Sequence, residues 1–407
     1  MQLFCPWLTL VFASILFSFN MTLVILLFVL TGLLTSVLIK KEKTISFSNS
    51  ALLAFGSSVL FVAFTLLLFL GIFLATERYA AETAFAKAVR ADRSRADVKT
   101  LVSDLDRAAT LNQFDDGAYR NLAQALILRV NDELKSASGN SALNDQSKQY
   151  IQSLVAAAVN ASVRATNLSP HQVSNWTVQG DVYRSLASVV PNAIDFSIKA
   201  YQKAILLEPN NPSHWMELGK TNLISADANL LLTTAKDPTI ASKAKQDTEK
   251  LLREARVSFE KAIALKANFA PAHYQLGLVY EREGKIDLAI GKIESVAKYN
   301  TEDVGVAFEI GVLYLKRNGK EDLARAQNAF EHAVKLSPSY SNAHWYLASI
   351  YEKQQKRDLA ISEIEIVAKL NPGNQIVKVR LDKLKSGALS QEPFGPLLPP
   401  ATDVEKK

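Results

Sequence analysis

Five histidines, one cysteine and a dense population of carboxylates are the side chains here that could do chemistry. His214, His273 and His344 stand in equivalent places, before Trp215, Tyr274 and Trp345; His171 and His332 lie apart. Imidazoles could ligate zinc, but ligands must converge at about 2 Å from one ion. Recurring helical segments hold equivalent residues roughly 10 Å apart, so these histidines read as packing or surface groups. Cys5 alone excludes an internal disulfide framework and a cysteine-based zinc site. There is no phosphate-cradling glycine loop, no Gly-x-Ser-x-Gly elbow, no His-Glu-x-x-His and no Cys-x-x-Cys. The carboxylates alternate with Lys and Arg, as on solvated helix faces. Residues 77–407 carry a net charge of only +4, which is no nucleic-acid footprint. The expectation is a chain without catalytic residues, metal or cofactor.

The helices that must carry these side chains are unevenly polar. Of 407 residues 48% are hydrophobic, yet residues 1–39 and 44–76 contain no Asp, Glu, Lys or Arg. Ala51 to Leu74 is 24 residues without a charge, enough to cross a hydrocarbon core of about 30 Å. Residues 3–39 are too long for one span, and a break near Ser18-Phe19-Asn20 divides them into 3–17 and 22–39. Residues 1–76 are therefore expected to be a membrane region. The loop after residue 39 carries Lys40, Lys41 and Lys43 against Glu42, which places it in the cytoplasm and the following domain outside. Arg78, Lys87, Arg90 and Arg93 after the last span argue the other way.

From residue 77 the sequence becomes charged, Ala-rich and helical in period. A half-motif recurs: Ala158-Ser162-Ala165-Pro170, Ser197-Tyr201-Ala204-Pro209, Ala255-Phe259-Ala262-Ala267, Ala289-Ile293-Val296-Thr301, Ala326-Phe330-Ala333-Pro338 and Ala360-Ile364-Val367-Pro372. Its last four copies end 34, 37 and 34 residues apart. Before most copies lies a second half-motif: HWMELG (214–219), AHYQLGLVY (272–280), EIGVLY (309–314) or AHWYLASIY (343–351). These residues resemble the tetratricopeptide repeat. The small residue ending the first half lets two antiparallel helices approach, and the proline sits where a helix cannot continue.

The resemblance implies an all-α fold: transmembrane helices, a connecting helix over 77–117, then a right-handed α-solenoid of about six helix pairs over 118–385. Two units are enlarged. Asp237-Pro238 is a helix-start signal, so helices over about 213–236 and 238–266 are expected. The first unit should turn at 136–141. Residues 386–407, with Pro393, Pro396, Pro399 and Pro400, read as disordered.

In such a solenoid the first helix of each pair lines a groove. The residues placed there are Arg120, Gln124, Arg184, Lys220, Tyr274, Arg282, Phe308, Lys316, Trp345 and Lys353. Tyr274, Phe308 and Trp345 form an aromatic stripe beside a basic edge. The expected partner is a protein or peptide, with the bilayer as a second partner and no nucleic acid. The expected function is a non-enzymatic membrane-anchored scaffold, integral to a bacterial cytoplasmic membrane with its repeats outside. A second resemblance points elsewhere. The run LVFASILFSFNMTLVILLFVLTGLL, a Lys-rich loop, one more span and repeats together resemble the end of a bacterial O-antigen ligase or polymerase-like protein. On that reading the chain is a C-terminal portion, and its glycan-transferring residues lie outside it.

Overall fold

The computed structural model describes residues 29–33, 51–93, 97–138 and 145–387. Every regular element among them is a helix. The expected span over 3–17, the turn at 136–141 beyond Ser138 and the tail from 388 lie outside the described residues; of 22–39 only the helical 29–33 is described. The chain divides into two compact units, up to Leu168 and from Ser169.

The first unit contains α1 (Ala51–Arg93), α2 (Val98–Leu111), α3 (Asp116–Ser138) and α4 (Asp145–Leu168), each packed on the next. The apolar part of α1 is exposed from Leu52 to Leu74. Its polar part buries Ala81, Ala84 and Ala88, a small-residue stripe at helical spacing on which α2 can lie closely. The expected single connecting helix over 77–117 is thus two helices. The first ends at Arg93, and the second starts after Asp97, whose carboxylate accepts from Lys99 N and caps α2.

The second unit is a series of helix pairs: α5 (Val173–Ser185) with α6 (Ala193–Leu207), α7 (Pro212–Leu230) with α8 (Pro238–Leu265), α9 (Ala270–Arg282) with α10 (Ile286–Ala297), α11 (Val304–Arg317) with α12 (Asp322–Leu336), and α13 (Ser341–Lys353) with α14 (Arg357–Leu370). A single helix, α15 (Gln375–Ser386), closes the series. Each helix packs on the next, and α7 also touches α9. In the enlarged pair, α7 stops at Leu230 and one turn of 3₁₀ helix (Leu231–Thr234) follows, so the helix expected to reach 236 is shorter. Asp237 then caps α8 through Thr239 N and Ile240 N, with Pro238 in its first turn.

Glycine decides how closely four of the five pairs meet. A Cβ at Gly180, Gly219 or Gly311 would sit within 2.9 Å of ring atoms of Tyr201, Phe259 or Phe330; at Gly277 it would meet Ile293 at 2.5 Å. These large residues are fully buried. The bare glycine face receives the large side chain of the second helix, and four of the five pairs are locked by one such contact; in α13 the buried Ala348 takes the glycine's place.

Candidate partner-binding face

The first helices of the pairs (α5, α7, α9, α11, α13) carry most of the candidate residues. The starts of α5, α7, α9 and α13 are tied down in one way. Trp176 Nε1 donates to Pro170 O at 2.8 Å, and Trp215 Nε1 to Pro209 O at 3.0 Å. His273 Nε2 meets Ala267 O at 2.8 Å, and His344 Nε2 meets Pro338 O at 2.9 Å. Each spans six residues. His273 and His344 therefore occupy the place of Trp176 and Trp215, whereas His214 sits one position earlier and bonds Glu208 at 2.9 Å. The three histidines are not one equivalent set, and no group of ligating side chains able to hold a metal ion occurs among the described residues. His344 is buried, which alone would lower its pKa. The Glu363 carboxylate at 2.5 Å and the Pro338 carbonyl outweigh burial and raise it.

Successive first helices face each other through the residue four after the small packing residue of one helix and the residue two before that of the next. Between α7 and α9, and between α11 and α13, these are uncharged: Leu223 with Gln275, and Leu315 with Tyr346. Between α5 and α7 these are Arg184 and Glu217: Arg184 Nη1 donates to Glu217 Oε2 at 2.6 Å, and Nη2 donates to Asp181 Oδ1 at 2.5 Å. Lys220 adds a 3.0 Å contact to Glu217. Between α13 and α15, which has no small packing residue, Glu352 meets Arg380: Arg380 Nη2 donates to Glu352 Oε1 at 2.5 Å and to Ser349 Oγ at 2.7 Å. The same guanidinium lies 4.1 Å from the centre of the Trp345 ring. Between α9 and α11 they are Glu281 and Glu309, two carboxylates.

Glu281 is occupied. It accepts from Arg282 Nη1 at 2.5 Å and from Lys316 Nζ, and Arg282 also donates to Asp227 at 3.2 Å. Glu309 forms no hydrogen bond or ion pair among those resolved in the described residues. Burial, followed by the field of Glu281, raises its pKa to about 7; Lys316 and Arg282 offset this only in part. Aromatic rings surround that place. Phe308 packs on Phe330, Tyr340 and Tyr346 at 5.5, 5.3 and 5.5 Å between centres. Burial pushes the phenols of Tyr274 and Tyr346 up to about 12, and both feel the Glu309 carboxylate. Tyr340 is raised from the same two causes.

A tetratricopeptide repeat family profile matches residues 313–374, which begin within α11 and end after α14. The second unit is built of tetratricopeptide repeats. The chain is 35% identical over 117 residues to the tetratricopeptide repeat domain-containing protein PYG7, chloroplastic, of Arabidopsis thaliana, covering 28% of this chain and 38% of that one. It is 26% identical over 150 residues to protein O-mannosyl-transferase TMTC3 of Homo sapiens, covering 36% of this chain and 16% of that one. The chain thus spans well under half the length of these relatives. A crystal structure of a tetratricopeptide repeat protein from Parabacteroides merdae superposes with a TM-score of 0.48 at 12% identity, covering 75% of this chain and 99% of that one.

The candidate residues separate between the two units. Arg120 and Gln124 lie on α3 of the first unit, where Arg120 pairs with Asp116 at 3.5 Å and Gln124 is exposed. Arg184, Lys220, Tyr274, Arg282, Phe308, Lys316, Trp345 and Lys353 lie in the second. Four of the five basic residues are paired by the repeats themselves: Arg184, Lys220, Arg282 and Lys316. Lys353 is exposed at the end of α13. Trp345 is only 3% exposed, because α15 and Arg380 cover it. Tyr274 and Phe308 are half-buried and keep part of their rings accessible. Glu309 escaped the sequence argument, although its spacing from Gly311 matches that of Glu217 from Gly219. The first unit has its own cleft of 720 Å³ between α2, α3 and α4, lined by Leu122, Leu126, Leu154, Arg129 and Arg164 among others.

Proposed function

We propose that this protein is a membrane-anchored scaffold that binds a protein or peptide partner on the first-helix face of its second unit. The observation that carries the reading is the half-buried patch of Tyr274, Phe308 and Glu309 beside Arg282 and Lys316. It combines accessible ring surface with fixed charge, and aromatic side chains and arginine are what peptide-binding surfaces are rich in. Domain boundaries follow the same reading: 1–76 as membrane region, 77–117 as connection, 118–385 as repeats and 386–407 as tail. The anchor rests on α1, whose 37-residue section Phe55–Ala91 is long and apolar enough to cross a membrane. The basic loop at Lys40, Lys41 and Lys43 favours repeats outside a bacterial cytoplasmic membrane. The relatives named above lend no support to the O-antigen ligase resemblance.

Two measurements test this. A photo-crosslinking residue at Lys316 should trap a discrete partner in living cells, and the same residue at exposed Leu206 on α6 should not. Equal trapping from both positions would remove the face from the proposal. Alkaline phosphatase fused after residue 100 should be active; an inactive fusion with an active cytoplasmic reporter at the same site would reverse the orientation.

A further inference from the structure

Two junctions between first helices are closed by an ion pair, and a third holds two carboxylates. Where α5 meets α7, and where α13 meets α15, the two facing positions hold opposite charges in contact: Arg184 with Glu217, and Arg380 with Glu352. Where α9 meets α11 the same two positions hold Glu281 and Glu309. Neighbouring cations do not repair the mismatch, because Arg282 and Lys316 are both held by Glu281 and Arg282 also by Asp227. Glu309 therefore makes no ion pair of its own among the described residues, whereas Glu217 in the same place pairs with Arg184. Its surroundings are the rings of Tyr274, Tyr340 and Tyr346, whose electron-rich faces also favour a cation.

We propose that the partner brings a cationic side chain, Lys or Arg, which seats against Glu309 beside Tyr274 and Tyr346 and completes the charge pair that the repeat leaves open. This rests on the peptide-binding reading above and names the chemistry of its partner. A guanidinium or ammonium from outside would stand to Glu309 as Arg184 stands to Glu217. The attraction is strong because the site is half-dry, and it would be lost with the carboxylate's charge. The groups facing Glu309 are Tyr274, Glu281 and Arg282 from α9, Lys316 from α11 itself, and Tyr340 and Tyr346 from the α13 side. Glu309 is the one with a pKa of about 7, so it is charged at pH 8 and largely neutral at pH 5.5.

The test uses the full chain in detergent micelles and a pool of dodecapeptides randomised except for a central Lys. A matched pool carries norleucine there, with the same aliphatic stem and no charge, and a third carries Glu. The Lys pool should be captured about tenfold better than the norleucine pool at pH 8, and the advantage should vanish at pH 5.5. Glu309→Gln should remove it at pH 8 while its thermal midpoint is no lower than that of the original chain. Equal capture of the Lys and norleucine pools would overturn this inference and leave peptide binding standing. Preference for the Glu pool would overturn it in favour of the basic edge. Capture of no pool would bring down both readings. Capture of the Lys pool only after removal of residues 388–407 would replace the partner by the chain's own Lys406-Lys407.

Discussion

Glu217 and Glu309 occupy the same place in two repeats and live differently. Glu217 is held by Arg184 from the preceding first helix and by Lys220 from its own. Glu309 faces Glu281 instead, and its pKa rises to about 7. The backbone, the packing glycine and the ring behind it are alike in both: Gly219 on Phe259, and Gly311 on Phe330. The difference lies in the side chain supplied by the helix before. A repeat protein can therefore place a frustrated charge at a chosen point without disturbing its core, because the glycine–ring contact and the charge pair lie on different faces of one helix.

Three substitutions break or sharpen this comparison. The largest effect belongs to the interface that is closed most fully, between α13 and α15. Trp345→Ala should cost about 3–5 kcal/mol, as truncation of a buried Trp does, read as a lowered midpoint in urea. A melt indistinguishable from the original would mean that α15 and Arg380 do not cover the ring, and would return Trp345 to the list of partner contacts. Next comes Arg184→Glu, which makes the first interface resemble the unpaired one. It sets a third carboxylate beside Asp181 and Glu217 and removes the guanidinium lying over Tyr201. A loss of about 3 kcal/mol is expected, toward the lower end for a broken buried pair since the site is partly solvated. No loss would show that the pairing is not what separates the two repeats.

The smallest effect has the opposite sign. An acid whose pKa is raised on folding binds protons more tightly when folded, so its ionisation weakens the fold as pH rises from its ordinary value of 4.5 to about 7. Glu309→Gln should therefore stabilise the protein on the order of 1–3 kcal/mol at pH 8 and change little at pH 4.5. Calorimetry at the two pH values checks the sign. Stabilisation that is equal at both would assign the gain to packing rather than to charge.

The architecture was legible because its determinants are small residues at fixed spacing. Gly219, Gly277 and Gly311 recur with their Phe or Ile partners, and no other helix pairing explains that period. Asp237-Pro238 likewise announced the start of α8. The candidate face was legible only in part. Basic residues such as Arg184 could be placed on the first helices, but whether a cation is free or bound depends on its neighbour one repeat away. Trp345 was placed in the groove because it repeats the position of Tyr274 and Phe308, and α15, which carries no Trp-x2-Leu-Gly signature, gave no sign that it covers the ring. It is a charged helix that fully buries only Val377 and Leu384, yet it reaches across with Arg380. The departure at Glu309 emerges only when equivalent positions of adjacent repeats are set against each other.

The unbroken course of α1 has a mechanical meaning. Its 43 residues make a rod of about 64 Å. With the 24 uncharged residues in a bilayer, roughly 28 Å of the same rod stands clear, and α2 is clamped along it through Ala81, Ala84 and Ala88. A flexible tether lets its cargo sweep a hemisphere and samples many heights. A mast does not: it fixes the altitude and the heading of whatever is bolted to it. On the membrane-anchored reading proposed above, proximity of the first unit to the lipid surface is a matter of geometry rather than of diffusion, and lengthening α1 by two residues would turn that unit by about 200° as well as raise it by about 3 Å.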